Sequence, residues 1–413
     1  MVKDAQYEAK SNSILSLLLM TFGVAVISIL LLLGNQIEQK LQNNLRGIDM
    51  VVGAKGSPIQ LILSSVYHLD NPTGNILFKD VSDLVTNSMV DFTIPLSYGD
   101  SYNGFRIVGS TPKYLKLYNV NLREGQLWSR SMEVVVGSVV AEVNQLQLGD
   151  TFFGSHGLID GGHVHENYSY KIVGILNQSN SIVDNLVLTS LNSVWKVHQE
   201  EHAHDCSDHS HDHSHDHESL EEHDIDEFYF SDHSMITAML VKFKSPVGLI
   251  KLPRMINENT KLQAAVPAFE VNRLIDLFGF GFQTINTIAL IIILVSGLSI
   301  FISLYNSLKK RRYELALMRV YGANKWQLIK LILLEGFILS FLGTFFGLLV
   351  SRLALFSISL FISYQHTFNS FRFNLINEEL WLFPVALSIG LIASIIPTII
   401  VYKTKITQIL SNA

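Results

Sequence analysis

LKKRRYELALMRVYGANKWQLIKLILLEGFILSFLGTFFGLLVS, residues 308–351, is the stretch on which the reading of this chain turns. It opens with a cluster of cations. A short segment follows in which Leu315, Leu317, Met318 and Val320 are interleaved with charge, the pattern of an amphipathic helix. Gly322 breaks that helix. An apolar run then begins near Leu328, interrupted by Glu335 and, towards its far end, by Arg352. A carboxylate in such a run is costly and is expected to face a partner rather than lipid. Gly343-x-x-x-Gly347 allows another helix to approach closely, and Gly336 and Ser340 extend the same small-residue face.

Three further apolar runs surround it, at 13–34, 284–305 and 380–402; the one containing Glu335 continues to about Ile362. The first carries no charge and, at ~1.5 Å per residue, spans ~33 Å, enough to cross a ~30 Å hydrocarbon layer. A cleaved signal peptide is the rival reading, but the run is long for that and no A-x-A site follows it. Lys3 and Lys10, the KKRR cluster at 309–312, and Lys403 with Lys405 all fall on one side if the chain crosses four times. Both termini and the 306–327 loop are then expected on the cytoplasmic side of the membrane. Residues 35–280 lie outside as one large domain, and 363–379 form a short outer loop.

That outer domain opens with NQIEQKLQNNLRGIDMVVGAKG, residues 35–56, in which Ile37, Leu41 and Leu45 recur on one helical face. This predicts an outward extension of the first helix, ended by Gly53 and Gly56 and packed against Val271–Phe278. Short β-branched runs follow at 105–110, 132–140, 170–176, 185–190 and 238–243. Residues 114–128 read as a helix and a turn, and 64–100 as a small mixed subdomain. The fold class is therefore membrane α plus extracytoplasmic α+β: four transmembrane helices with a large domain between the first and second. The sequence contains no GxxxxGK[ST], no GxGxxG and no convincing nucleophile–base pairing. No basic patch with interleaved aromatics is present, so nucleic acid is not an expected partner.

The motif resembles the FtsX-like permease domain of the MacB and LolC/LolE class of ABC transporters. Its residues here are Arg311, Arg312, Glu314, Leu315, Ala316, Leu317, Met318, Arg319, Gly322 and Ala323, then Glu335 and Gly336. Val320 and Tyr321 depart mildly from the pattern. Pro397, Lys403, Lys405 and Leu410 resemble the family's ending, and FRIVGSTPKYLKLYNVNLREGQLW resembles a segment of its MacB-like periplasmic domain. The resemblance implies a dimer, with itself or a paralogous permease, that binds a separate ATPase subunit. ATP and Mg belong to that partner, and this chain is not itself an enzyme. Closure of the ATPase pair would be relayed by the first and second helices to the outer domain, a mechanotransmission that exports a small molecule or peptide or extracts a lipoprotein. A periplasmic adaptor or lipoprotein would be a further partner. The ATPase-coupling helix is placed on Arg312, Glu314, Leu317, Met318, Arg319 and Gly322, and transmembrane packing on Glu335, Gly336, Gly343, Gly347 and Pro397. Arg311 and Arg312 equally suit lipid headgroups.

One feature falls outside the resemblance. Between Val197 and Val241 the chain has thirteen Asp or Glu, ten histidines and no Lys or Arg. His209, His211, His213, His215 and His217 alternate, with His202 and His204 nearby. Imidazole with carboxylate suits zinc and its neighbours. The segment offers more ligands than one structural site uses, and reads as a disordered, multivalent insertion. Metal capture, a solvated loop without duty and a pH-responsive segment are all compatible with it. Cys206 is the only cysteine, so no intrachain disulfide forms. A non-transporting regulator of an envelope hydrolase and a metal-sensing membrane receptor are the alternative functions.

Overall fold

A computed structural model describes residues 2–45, 47–155, 164–199, 234–363 and 377–403. The chain forms two compact units, one of residues 39–275 and one of residues 1–38 with 276–413.

The first unit is built on a sheet whose central strands are buried on both faces. Its elements in chain order are β1 (Met50–Ala54), α2 (Pro58–Ser65), β2 (Ile76–Leu77), α3 (Phe78–Thr86), β3 (Val90–Tyr102), β4 (Phe105–Gly109), α4 (Lys113–Leu117), β5 (Leu122–Gly125) and β6 (Glu133–Val136). Then come α5 (Ser138–Asn144), β7 (Thr151–Ser155), β8 (Val164–Leu176), a 3₁₀ turn (Ile182–Asn185), β9 (Leu186–Thr189), α6 (Leu191–Gln199), β10 (Met235–Ile236), β11 (Ala238–Phe243), α7 (Pro246–Asn259) and β12 (Leu262–Ala265). The main sheet runs β12-β1-β11-β3-β4-β9-β6-β8-β5, with β7 pairing β3 and β8 and a separate β10–β2 ladder. β4–β9 and β6–β8 are parallel, and the other ladders are antiparallel.

Side chains alternate across this sheet with period two. Val51, Leu240, Val135 and Leu188 enter one core, with Tyr114, Trp128 and Leu61. Their neighbours Met50, Val52, Met239 and Val241 enter a second, under α3, α6 and α7. Val134, Val136 and Val187 enter a third with Phe152 and Tyr170. Burial on both faces explains why these strands read as continuous aliphatic runs rather than alternating ones. Leu41 and Leu45, at the end of α1 (Val2–Asn44), pack on the first core with Val271 and Ile275 from the start of α8 (Pro267–Lys310).

Several expectations are corrected. The helical extension ends at Asn44, not near Gly56, because Met50–Ala54 is a β-branched strand and Gly53 lies inside it. A Cβ on Gly53 would meet Leu61 at 2.5 Å, so close packing rather than helix termination requires that glycine. The run at 132–140 divides: strand β6 ends at Val136, and Ser138 begins α5. Residues 64–100 are no subdomain; β3 is a central strand of the main sheet.

Among the described residues, four helices are long and apolar enough to cross a membrane, over Ile14–Asn44, Gln283–Lys309, Lys325–Ile358 and Leu382–Ile399. They belong to α1, α8, α10 (Lys325–Ser363) and α12 (Leu382–Lys403), with short α9 (Arg312–Val320) and α11 (Asn377–Leu380) between them. With a mixed α/β domain between the first and second spans, the fold class is the expected one.

Candidate coupling surface and membrane contacts

The segment between α8 and α10 is fixed by two local hydrogen-bonding devices. Helix α9 ends at Val320, and Gly322 follows with φ +99. The Ala323 N–H donates to the Met318 carbonyl at 2.9 Å, and the Gly322 N–H to the Arg319 carbonyl at 3.1 Å. These are the two bonds of a Schellman motif, which needs a left-handed residue that glycine adopts without strain. Nothing lies within 4 Å of where a Cβ on Gly322 would sit, so conformation and not crowding selects glycine. Two residues later Asn324 donates its N–H to Gln327 Oε1 at 2.8 Å, capping the start of α10.

This short, doubly capped connection presents apolar side chains outward. Met318 is 44% exposed, Val320 60%, Tyr321 87% and Trp326 66%. Leu317 and Arg319 are half-buried. The expected coupling residues Arg312 and Glu314 lie on the same helix; their side chains are outside the described residues. Val320 and Tyr321, set aside in the sequence as mild departures from the motif, belong to the most exposed apolar part of this surface.

The small residues along α10 meet two neighbouring helices. A Cβ on Gly343 would lie 2.7 Å from Met20, and one on Gly347 would lie 2.7 Å from Val24, so these glycines face α1. Gly336 faces Ser394, and Ser340 faces Gly390, so the earlier half of the stripe faces α12. The stripe runs along α10 while the neighbouring helix changes. Gly23 against Ile293 and Gly297 against Ile389 bring α8 into the same bundle. Pro397 is buried within α12.

Glu335 is half-buried and makes no hydrogen bond or ion pair among the described residues. Glu379, in the same unit, is a carboxylate with partners. Arg352 donates to it through two nitrogens, at 3.0 Å to Oε1 and 2.5 Å to Oε2. Ser28 of α1 adds a bond to Oε1 at 2.5 Å and lies 2.8 Å from Ser351. The Glu379 side chain is fully buried. Sequence reasoning noted Arg352 and passed over Glu379. The signal was an acid placed directly before an apolar run, matching an isolated arginine at the end of another.

In the sheet unit the buried polar groups form a second cluster. His68 Nε2 lies 2.8 Å from the Tyr114 hydroxyl. Arg106 stacks on the Tyr98 ring at 4.7 Å and donates to the Asp70 carbonyl at 2.9 Å. Tyr98 donates to the Ser64 carbonyl. Burial, and secondarily the Arg106 charge, lowers the His68 pKa to about 3, so the imidazole is neutral near pH 7. Burial raises the phenols Tyr98, Tyr114 and Tyr118, which remain hydrogen-bond donors.

The expected metal ligands His202, His204, His209, His211, His213, His215 and His217 lie outside the described residues. Among the described residues, no group of three or more His, Cys, Asp or Glu is placed to hold a metal ion.

The profile of the FtsX-like permease C-terminal family matches residues 286–406, and that of the MacB-like periplasmic core domain matches residues 13–246. Among solved structures, the periplasmic region of MacB from Actinobacillus actinomycetemcomitans is 14% identical, covering 58% of this chain and 98% of its own, with a TM-score of 0.34. The extracellular domain of the noncanonic ABC-type transporter YknZ from Gram-positive bacteria is 11% identical, covering 52% of this chain and 98% of its own, with a TM-score of 0.31. No curated protein matches the chain.

Proposed function

From the premise that this chain belongs to the FtsX-like, MacB-type permease family, we propose that it is the membrane subunit through which a separate ATPase chain drives movement of an outer domain. The family supports an ABC-transporter permease role and a multi-pass membrane location. In this reading both termini and residues 306–327 are cytoplasmic, and the sheet unit faces the periplasm of the inner membrane. The subunit pairs with a second copy or a paralogous permease, and an adaptor or lipoprotein meets the sheet unit. It does no chemistry itself.

The observation that supports ATPase docking best is the connection around α9. Met318, Val320 and Tyr321 are exposed on a helix held by caps at both ends of the turn. Apolar side chains on a rigid cytoplasmic turn are suited to a groove on a partner. Half-buried Arg319 supplies a neighbouring cation. Met318→Asp with Tyr321→Asp places two charges on that surface without touching the glycine turn. Co-purification of the ATPase from membranes is expected to fall at least tenfold, with the permease still inserted. Undiminished recovery would remove α9 from the interface.

The histidine-rich segment is read as a multivalent zinc-capturing insertion attached to this transporter. Its residue types supply imidazole and carboxylate ligands in excess of one site. Deleting 199–224 is expected to abolish most zinc uptake by the full chain in titration calorimetry, with ATPase recovery unchanged. Equal zinc binding by the deletion variant would refute the capture role.

A further inference from the structure

The last turn of α1 is closed in an unusual way. A helix leaves its final four carbonyls without intrahelical partners. They are commonly satisfied by the residues that follow at once, as at Gly322. Gly47 follows α1 with φ +75, yet two of these carbonyls are taken by distant side chains. The Tyr67 hydroxyl donates to the Leu41 carbonyl at 2.8 Å across 26 residues of sequence. The Tyr118 hydroxyl donates to the Asn44 carbonyl at 3.1 Å across 74 residues. The Asn44 side chain in turn accepts from the Ile182 N–H at 2.9 Å, across 138 residues.

These three bonds reach three different parts of the sheet unit. Tyr67 lies just past the end of α2, Tyr118 caps α4, and Ile182 opens the 3₁₀ turn before β9. The rings are themselves fixed: Tyr67 is buried, and Tyr118 meets Tyr114 edge-on at 5.3 Å. Burial raises both phenols above their ordinary pKa, so neither ionises near neutral pH. Leu41 and Leu45 add apolar contacts on the same core. A local cap would fasten the helix only to its own continuation. This arrangement fastens it to the body of the domain.

We propose that Tyr67, Tyr118 and Asn44 are positioning residues that bind the end of α1 to the sheet unit, so that displacement of α1 is delivered to the whole sheet. This rests on the permease reading above. The bonds run along and beside the helix end, where a pull or a rotation of α1 would otherwise be lost as fraying of its last turn.

The test uses the full chain in lipid nanodiscs with Tyr67→Phe and Tyr118→Phe combined, which keeps both rings and removes both hydroxyls. Amide hydrogen exchange at residues 41–48 is expected to accelerate roughly tenfold, as for carbonyls that lose their donors. Strands β6 and β9 should exchange as in the parent. Unchanged exchange at 41–48 would overturn the fastening. In the complex with its ATPase, the double variant is expected to hydrolyse ATP while losing the ATP-dependent change in exchange across the sheet unit. A purely structural cap would lower the melting temperature and leave that ATP-dependent change intact, which would also overturn the proposal. A parent complex with no ATP-dependent change would instead refute the permease reading and the delivery with it. The exchange at 41–48 would still decide whether the fastening exists.

Discussion

The membrane-spanning helices and the sheet unit differ in what they place between their elements. The sheet unit fills its cores with Val, Ile, Leu and aromatic rings, such as Val135, Leu188, Leu240 and Tyr114. Its contacts are those of a domain that gains stability by removing apolar surface from water. The spanning helices expose large apolar side chains, such as Leu294, Leu298, Phe345 and Ile392, and set glycine and serine between buried residues such as Met20, Val24 and Ile293. Gly347 meets Val24, Gly390 meets Ser340, Ser16 meets Ser299, and Ser28 meets Ser351. In lipid, apolar burial between helices gains little, so close backbone approach and interhelical hydrogen bonds decide the packing.

The ion pairs show the same division. Lys242 and Asp49 in the sheet unit lie 3.6 Å apart with a third of each side chain exposed, and Asp49 also accepts from the Phe243 N–H. Such a pair contributes about 0–1 kcal/mol. Arg352 and Glu379 form a two-pronged pair whose carboxylate is fully buried, with Ser28 completing it. Removing one partner of a buried pair costs about 3–5 kcal/mol, because the other charge is stranded. Glu379→Ala is therefore expected to produce the largest loss of stability, read as thermal or denaturant unfolding in detergent. Arg352→Ala added to it should recover part of the loss, since no stranded cation remains. A Glu379→Ala cost within the range of a surface pair would erase the contrast between the units.

Legibility in the sequence divided along the same line. The spans were readable from length and lack of charge, and the glycine positions on α10 from their spacing. Their partners were not, because spacing marks a face and says nothing of which helix it meets; Gly336 and Gly343 proved to face different ones. Glu335 drew attention as a carboxylate in an apolar run, while Glu379 did not, because its partner Arg352 is 27 residues away and only the folded bundle joins them. In the sheet unit the aliphatic runs located the strands, but Val139 and Val140 read as strand and fold as helix. Gly137, between β6 and α5, is required by close backbone approach: a Cβ on it would meet the Val183 and Asp184 carbonyls at 2.4 Å. The end of α1 was misjudged for a related reason. Val51 and Val52 satisfy a helical stripe as readily as a strand, and pairing with β11 and β12 decides between them. Tyr67 and Tyr118 gave no signal, since the carbonyls they bind are distant in sequence.

The smallest effects separate glycines required by contact from a glycine that is not. A Cβ on Gly347 would sit 2.7 Å from Val24 and 2.9 Å from the Thr21 carbonyl, and backbone cannot yield cheaply. Overpacking of this kind costs about 1–3 kcal/mol, so Gly347→Ala is expected to lower the melting temperature. Gly34 lies inside the same helix as Thr21 and Val24, but nothing falls within 4 Å of its Cβ position. There alanine adds no clash and restricts the unfolded chain, so Gly34→Ala is expected to be neutral or to stabilise by up to about 1 kcal/mol. The two substitutions are chemically identical and sit in spanning helices, yet only Gly347→Ala should lower the unfolding temperature. If Gly34→Ala destabilises as much as Gly347→Ala, the cost belongs to the loss of glycine as such, and close helix contact is not what holds the spanning unit together.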